Sequence, residues 1–190
     1  MPTRDALSPA VPPTLDLGTI VLRPLRPEDA VELFRYLSDP AVTALTSFPE
    51  VSMTLAETMI ERARSRWAAG EPSRWGIATA DGDRLIGTCG FNDASSVHRW
   101  AEIAFDLARE HWSRGIVPAA AAAALAWAFR EGGIDRVQAF VRTDNLRSER
   151  LLQRLGFMRE GCLRDYRICR GTPHDFHLYA ILRRDWEASR

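Results

Sequence analysis

Two hydrophobic periods alternate along the chain, and the switches between them mark out its elements. Residues 19–23 alternate apolar and polar side chains, which predicts a first strand. Ala30, Val31, Leu33, Phe34 and Leu37 then fall at helical spacing behind Pro27-Glu28-Asp29, and Ser38-Asp39-Pro40 stops that helix. Residues 41–53 follow neither period. A second helix over 54–69 carries Leu55, Met59, Ile60 and Ala63 on one face, with Glu and Arg on the other, as a solvated surface has. Residues 75–80 and 85–91 flank Asp81-Gly82, a strong hairpin signal. A strand over 100–107 gives way to a helix over 117–131, ended by Gly132-Gly133, and then to a strand over 136–142. A last helix over 146–155 ends at Gly156. Strands over 158–169 and 176–182 follow, joined through Arg170-Gly171-Thr172-Pro173. This order predicts an α+β, three-layer α/β/α architecture: a mixed, mostly antiparallel central sheet flanked by helices.

The stretch from Glu110 to Phe157 carries the most chemistry. Residues 119–124 are six consecutive alanines, the strongest helix formers. Pro118 sits just inside the helix start, where a missing N–H costs little and φ is already set. A loop entering a helix here leaves backbone N–H groups unpaired at the positive end of the dipole, a setting suited to phosphate. An ordinary helix with a glycine-containing entry shares this local pattern. Asn145-x-x-Ser148 opens the next helix, where Asn145 fits a capping role as well as a ligand contact.

Composition narrows the class. At 190 residues, with 25 basic and 25 acidic side chains, the chain suits one domain and has no bulk charge to draw nucleic acid or a membrane surface. Residues 1–18, with Pro2, Pro9, Pro12 and Pro13, read as a proline-rich tail ahead of a domain over 19–190. Every basic side chain is arginine, which excludes Schiff-base chemistry on a lysine. Cys89, Cys162 and Cys169 are odd in number and unclustered, as in a reducing compartment. With no signal-peptide layout and no spanning apolar run, a cytoplasmic protein is expected. His174 and His177 should point to opposite faces of a strand, so no metal site is expected. No Gly-x-Ser-x-Gly, Walker or dinucleotide motif is present.

Four pieces, in this order, resemble one family. They are the stretch from Leu22 to Ala30, Trp112-Ser113-Arg114-Gly115, Asn145-x-x-Ser148 with Leu155-Gly156-Phe157, and Leu163-Arg164-Asp165-Tyr166. Together they resemble the GNAT superfamily of N-acetyltransferases over about residues 19–186. The branch most alike is that of the ribosomal-protein N-terminal (RimJ/RimL-like) acetyltransferases. The resemblance implies acetyl-CoA as cofactor and a primary amine as acceptor, on a protein N-terminus or a small molecule. It implies direct attack on the thioester, without a covalent enzyme intermediate. No nucleic acid or membrane partner is expected, and a homodimer is allowed. Three alternatives remain: a non-catalytic acyl-CoA-binding domain, a partner-binding domain, and a drug-modifying (aminoglycoside-type) acetyltransferase.

By the same resemblance, Ile103, Ala104, Phe105 and Leu107 hold the pantetheine arm through their backbone. Trp112, Ser113, Arg114, Gly115, Ile116 and Val117 form the pyrophosphate loop. An exposed arginine is the plain alternative for Arg114. Val117 stands where the family prefers a small residue, and Pro118 removes one donor. Asn145 contacts the cofactor, and Ser148 lies near the sulfur, where its hydroxyl could stabilise the departing thiolate. Tyr166 is the rival donor. Glu102 is a candidate base on strand 100–107, with an ordinary solvated residue as its alternative. Trp75 and Trp100 are expected to wall the acceptor pocket.

Overall fold

The computed structural model describes residues 9–189. Eight strands form one sheet in the order β1-β2-β3-β4-β5-β6-β8-β7. They are β1 (Leu15–Asp16), β2 (Ile20–Arg23), β3 (Arg74–Thr79), β4 (Leu85–Ser95), β5 (Trp100–Leu107), β6 (Arg136–Arg142), β7 (Met158–Cys169) and β8 (Thr172–Leu182). The helices are α1 (Ala30–Leu37), α2 (Pro40–Thr43), α3 (Met53–Ala68), α4 (Ile116–Arg130), α5 (Leu146–Arg154) and α6 (Arg183–Ala188). All neighbouring strands run antiparallel except β5 and β6. The sheet is therefore mixed and mostly antiparallel, as the sequence predicts.

Two hydrophobic cores hold the layers together. One lies under α1 and α3 and includes Leu33, Tyr36, Leu37, Ile60 and Leu85. The other lies under α4, where Ala120, Ala121, Ala124 and Ala128 are fully buried. Its centre is an aromatic group: Trp67, Trp75 and Trp127 lie with ring centroids 4.7–5.3 Å apart, edge to face.

The structure adds three things to the sequence pattern. Residues 15 and 16, inside the proline-rich 1–18 segment, pair with β2, and Pro13 O accepts a hydrogen bond from Trp75 Nε1 at 2.8 Å; residues 1–8 lie outside the described part. Within the irregular 41–53 stretch, Asp39 caps α2 by accepting from Ala41 N at 2.9 Å. Strand β8 starts at Thr172 rather than 176. Arg170 and Gly171, with φ of +51° and +79°, make a two-residue hairpin turn between the paired Cys169 and Thr172. Pro173 is tolerated there because β6 joins β8 only from Phe176 on.

Candidate active site

The site begins with a defect in the sheet. Strands β5 and β6 pair only at Trp100–Arg136, Ala101–Val137 and Glu102–Gln138. Beyond Glu102, β5 keeps its β4 partners and β6 keeps its β8 partners, but among the described residues the two strands no longer pair with each other. Parallel strands need a crossover helix, and α4 fills that role here. The result is a wedge that opens from Glu102 toward Leu107.

A cleft of about 620 Å³ occupies the open end of this wedge. One wall is Phe105, Asp106 and Leu107 of β5. The floor is the loop and first turn of α4: Trp112, Ser113, Gly115, Ile116, Val117 and Pro118. The far wall is α5, through Asn145, Arg147, Ser148, Leu151 and Arg154, and a rim comes from the chain around Ala41–Thr46. Nine of the residues singled out from sequence thus share one cleft: Phe105, Leu107, Trp112, Ser113, Gly115, Ile116, Val117, Asn145 and Ser148.

The loop is shaped by its backbone. Ser113 and Gly115 have φ of +63° and +75°, and Gly115 is the residue that starts α4. Trp112 Nε1 donates to Leu107 O at 2.8 Å, which fastens the loop to the end of β5. The first N–H groups of α4 have no intrahelical acceptor, so the floor is a dipole end. Val117 packs partly against the core. Asn145 Oδ1 accepts from Ser148 N at 3.1 Å, so Asn145 caps α5 while lining the cleft.

Positive groups cluster at the same place. The Arg147 guanidinium lies over the Trp112 ring, and Arg154 stands two turns further along α5. His111 also lines the cleft, and its Nε2 is buried without a hydrogen-bond partner. Burial holds the His111 imidazole below its usual range; Glu110 opposes this and Arg114, Arg84 and Arg35 add to it. A free dipole end, two arginines and a cleft of this volume fit a long phosphorylated ligand such as coenzyme A.

Behind Asp106 lies a network that sequence reasoning missed. Its Oδ1 accepts from Tyr36 Oη at 2.5 Å and Thr88 N at 3.1 Å. Its Oδ2 accepts from Arg74 Nη1 at 2.5 Å and Thr88 Oγ1 at 2.9 Å. All four residues are buried. Burial, with the Asp106 charge second, pushes the Tyr36 phenol well above its usual value. The network ties α1, β3 and β4 to the strand that walls the cleft.

The remaining candidates lie elsewhere. Ile103 is core, and Ala104 is half-buried, without lining the cleft. Arg114 is exposed and outside the lining. Glu102 does not face open solvent: its carboxylate meets Arg167 Nη2 at 3.3 Å, with 13% of its side chain exposed. Tyr166 stacks on Phe140, centroids 4.9 Å apart, and is 42% exposed. Glu102 and Tyr166 thus meet around Arg167, away from Ser148 and the cleft lining. The expectation for Trp75 is corrected: it is fully buried in the aromatic core and does not line the cleft. Trp100 stands at the closed end of the wedge. His174 and His177 belong to no candidate metal cluster among the described residues; His177 Nδ1 pairs instead with the Glu149 carboxylate under α5.

Known proteins are similar to this chain in sequence and in fold. The acetyltransferase (GNAT) domain model matches residues 19–158. The chain belongs to the GNAT acetyltransferase family. Its GNAT relatives include a Bacillus subtilis (strain 168) protein named uncharacterized N-acetyltransferase YoaA. That protein is 34% identical over 172 residues, spanning 90% of this chain and 97% of the relative. The ribosomal-protein-serine acetyltransferase of Escherichia coli (strain K12) is 33% identical over 98 residues, 52% of this chain and 55% of that one. Among solved GNAT folds, RimL, a ribosomal L7/L12 alpha-N-protein acetyltransferase in complex with coenzyme A, superposes with a TM-score of 0.81. The match covers 90% of this chain and 98% of that one at 20% identity, a likeness of fold. No helix among the described residues is long and apolar enough to cross a membrane.

Proposed function

We propose that this protein transfers an acetyl group from acetyl-CoA to a primary amine, with a protein N-terminus as the acceptor class. The observation that carries the reading is the wedge between β5 and β6 opening onto the free N-terminus of α4. The acceptor class draws support from the relative named a ribosomal-protein-serine acetyltransferase.

The residues divide the work by position. When bound, acetyl-CoA supplies the activated acyl group and the thiolate leaving group. The α4 N-terminus and Arg147 would hold its phosphates, and the β6-facing edge of Ile103 to Phe105, which stays paired with β4 but not with β6, would take the pantetheine amides as an added strand. Ser148, which lines the cleft wall, would donate a hydrogen bond to charge developing on sulfur. Glu102, the last rung before β5 and β6 part, would accept the proton that an incoming ammonium must lose. The amine then attacks directly; buried Cys89, with its thiol pushed up to about 12 by burial, offers no nucleophile.

Calorimetric titration with acetyl-CoA, followed by free-thiol release with serine- and alanine-initiated peptides, polyamines and aminoglycosides, tests the reading. Binding with peptide-dependent thiol release is expected. Binding without turnover on any amine would make the chain an acyl-CoA-binding domain, and aminoglycoside-only turnover would reassign the acceptor.

A further inference from the structure

The cluster around Arg167 has an arrangement that a structural ion pair does not need. Three aromatic rings surround the guanidinium carbon: Phe140 of β6 and Tyr166 of β7 at 5.2 Å, and Phe176 of β8 at 5.5 Å from ring centroid. The rings also meet one another. Phe140 and Tyr166 lie 4.9 Å apart, and Tyr166 and Phe176 meet edge to face at 5.9 Å. Glu102 supplies the counter-charge at 3.3 Å. Aromatic faces plus one carboxylate are the chemistry that recognises an organic cation, and each ring here is within cation–π range.

Its location gives the cage a purpose. Phe140 and Phe176 are diagonal neighbours on one face of the β6–β8 ladder, and Glu102 pairs with Gln138 on β6 as the last rung before β5 and β6 part. The cage therefore sits at the vertex of the wedge whose open end is the cofactor cleft. From Glu102 to Phe105–Leu107 in the cleft wall is three to five residues of strand, roughly 10–17 Å. A strand bulge shapes the rim: β7 slips register between Leu163 and Arg167, with Asp165 at φ +49°, and this carries Tyr166 over the site. Arg167 is a lodger as much as a wall. Its side chain is 30% exposed and enters from the outermost strand of the sheet.

We propose that this cage is the binding site for a cationic primary amine, and that Arg167 is an internal stand-in for that amine, seated there until the amine displaces it. The identification of the amine with the acetyl acceptor rests on the proposed acetyl-transfer activity. Displacement would release the Glu102 carboxylate from the guanidinium and hand it to the ammonium in the same event. An internal occupant lowers apparent affinity for the external one by the fraction of time it holds the site.

The test compares wild type with Arg167→Ala, Arg167→Gln and Arg167→Lys. First, melting temperature is read in methylammonium or guanidinium chloride at 10–20 mM against sodium chloride of equal ionic strength, without any acetyl transfer. Emptying the cage should let either cation raise the melting temperature of the Ala and Gln variants by about 2 °C or more, while wild type and Arg167→Lys stay unmoved. Adding Phe140→Leu to Arg167→Ala should abolish the shift. Second, acceptor KM with the best peptide should fall at least about threefold in Arg167→Gln, with acetyl-CoA Kd unchanged. A cation shift with no acetyl transfer to any amine would support the cage as an ammonium site and remove the acetyl-transfer reading. No cation shift in either neutral variant, or an equal shift in wild type, would overturn the proposal. So would a raised acceptor KM in Arg167→Gln, which would make Arg167 a brace for Glu102.

Discussion

The Arg147 guanidinium stands 4.4 Å from the centroid of the Trp112 ring, so the first turn of α5 and the loop before α4 touch across the mouth of the cleft. The contact holds a cation beside the positive end of a helix, so an anion bound between them would be drawn to both. Arg147→Ala should weaken acetyl-CoA binding by roughly five- to tenfold, the worth of about 1 kcal/mol from one charge-assisted contact. Calorimetric Kd checks it, and the loss should shrink as salt rises.

Pro118 gives a two-way test of the α4 floor. Pro118→Ala restores an N–H among the first four of the helix, and it should tighten acetyl-CoA binding by roughly two- to tenfold. Pro118→Asp puts a carboxylate in the same first turn, where helices favour it, yet should weaken binding tenfold or more, about 1.4 kcal/mol. Gly115→Asp is a poorer probe. Its φ of +75° makes any side chain strain the loop, whatever charge it carries.

Ser148→Ala should lower turnover while leaving acetyl-CoA Kd within about twofold, since a group acting on developing charge matters most in the transition state. The capping bond is unaffected, because Ser148 contributes its backbone N–H to it. Single-turnover rates check this; an unchanged chemical step would remove Ser148 from the donor role.

Asp106→Asn should destabilise the fold by about 3 kcal/mol, as it leaves buried Arg74 without its charge partner and gives Tyr36 a poorer acceptor. The urea midpoint should fall, and the slope should stay the same.

His111 provides a pH test. Its folded pKa lies below the usual 6.5, burial being the largest cause, so the folded state resists protonation. The unfolded chain then takes up the proton first. Stability from this group is present above pH 6.5 and is lost as pH falls below it. Urea midpoints measured at pH 7.5 and pH 5.5 should differ less in His111→Gln than in wild type.

The elements were legible because each carries its own local pattern. The Asp-Gly dipeptide, the alanine run and the alternation over 136–142 fix their structures within a few residues of chain. The cleft face of α5 was also within reach: Arg147, Leu151 and Arg154 fall at i, i+4 and i+7. The Asn145-x-x-Ser148 pattern by itself does not include them. What could not be read was long-range pairing. Nothing local to Glu102 announces Arg167, 65 residues away, and nothing near Asp106 announces Tyr36, 70 residues away. A buried carboxylate and a solvated one look alike in a strand until the partners are in place.

The alanine face of α4 has a consequence for how this site can change. Ala120, Ala121, Ala124 and Ala128 bring the helix backbone close to the sheet with no side-chain length to give up. A bigger residue there would lift the helix, and a smaller one leaves only glycine. The first turn of α4, which floors the cleft, is thus anchored by a face that cannot be repacked. Any change in the volume of the cleft has to come from the α5 wall or from the Ala41–Thr46 rim, the parts of the molecule that can be redrawn without moving that anchor.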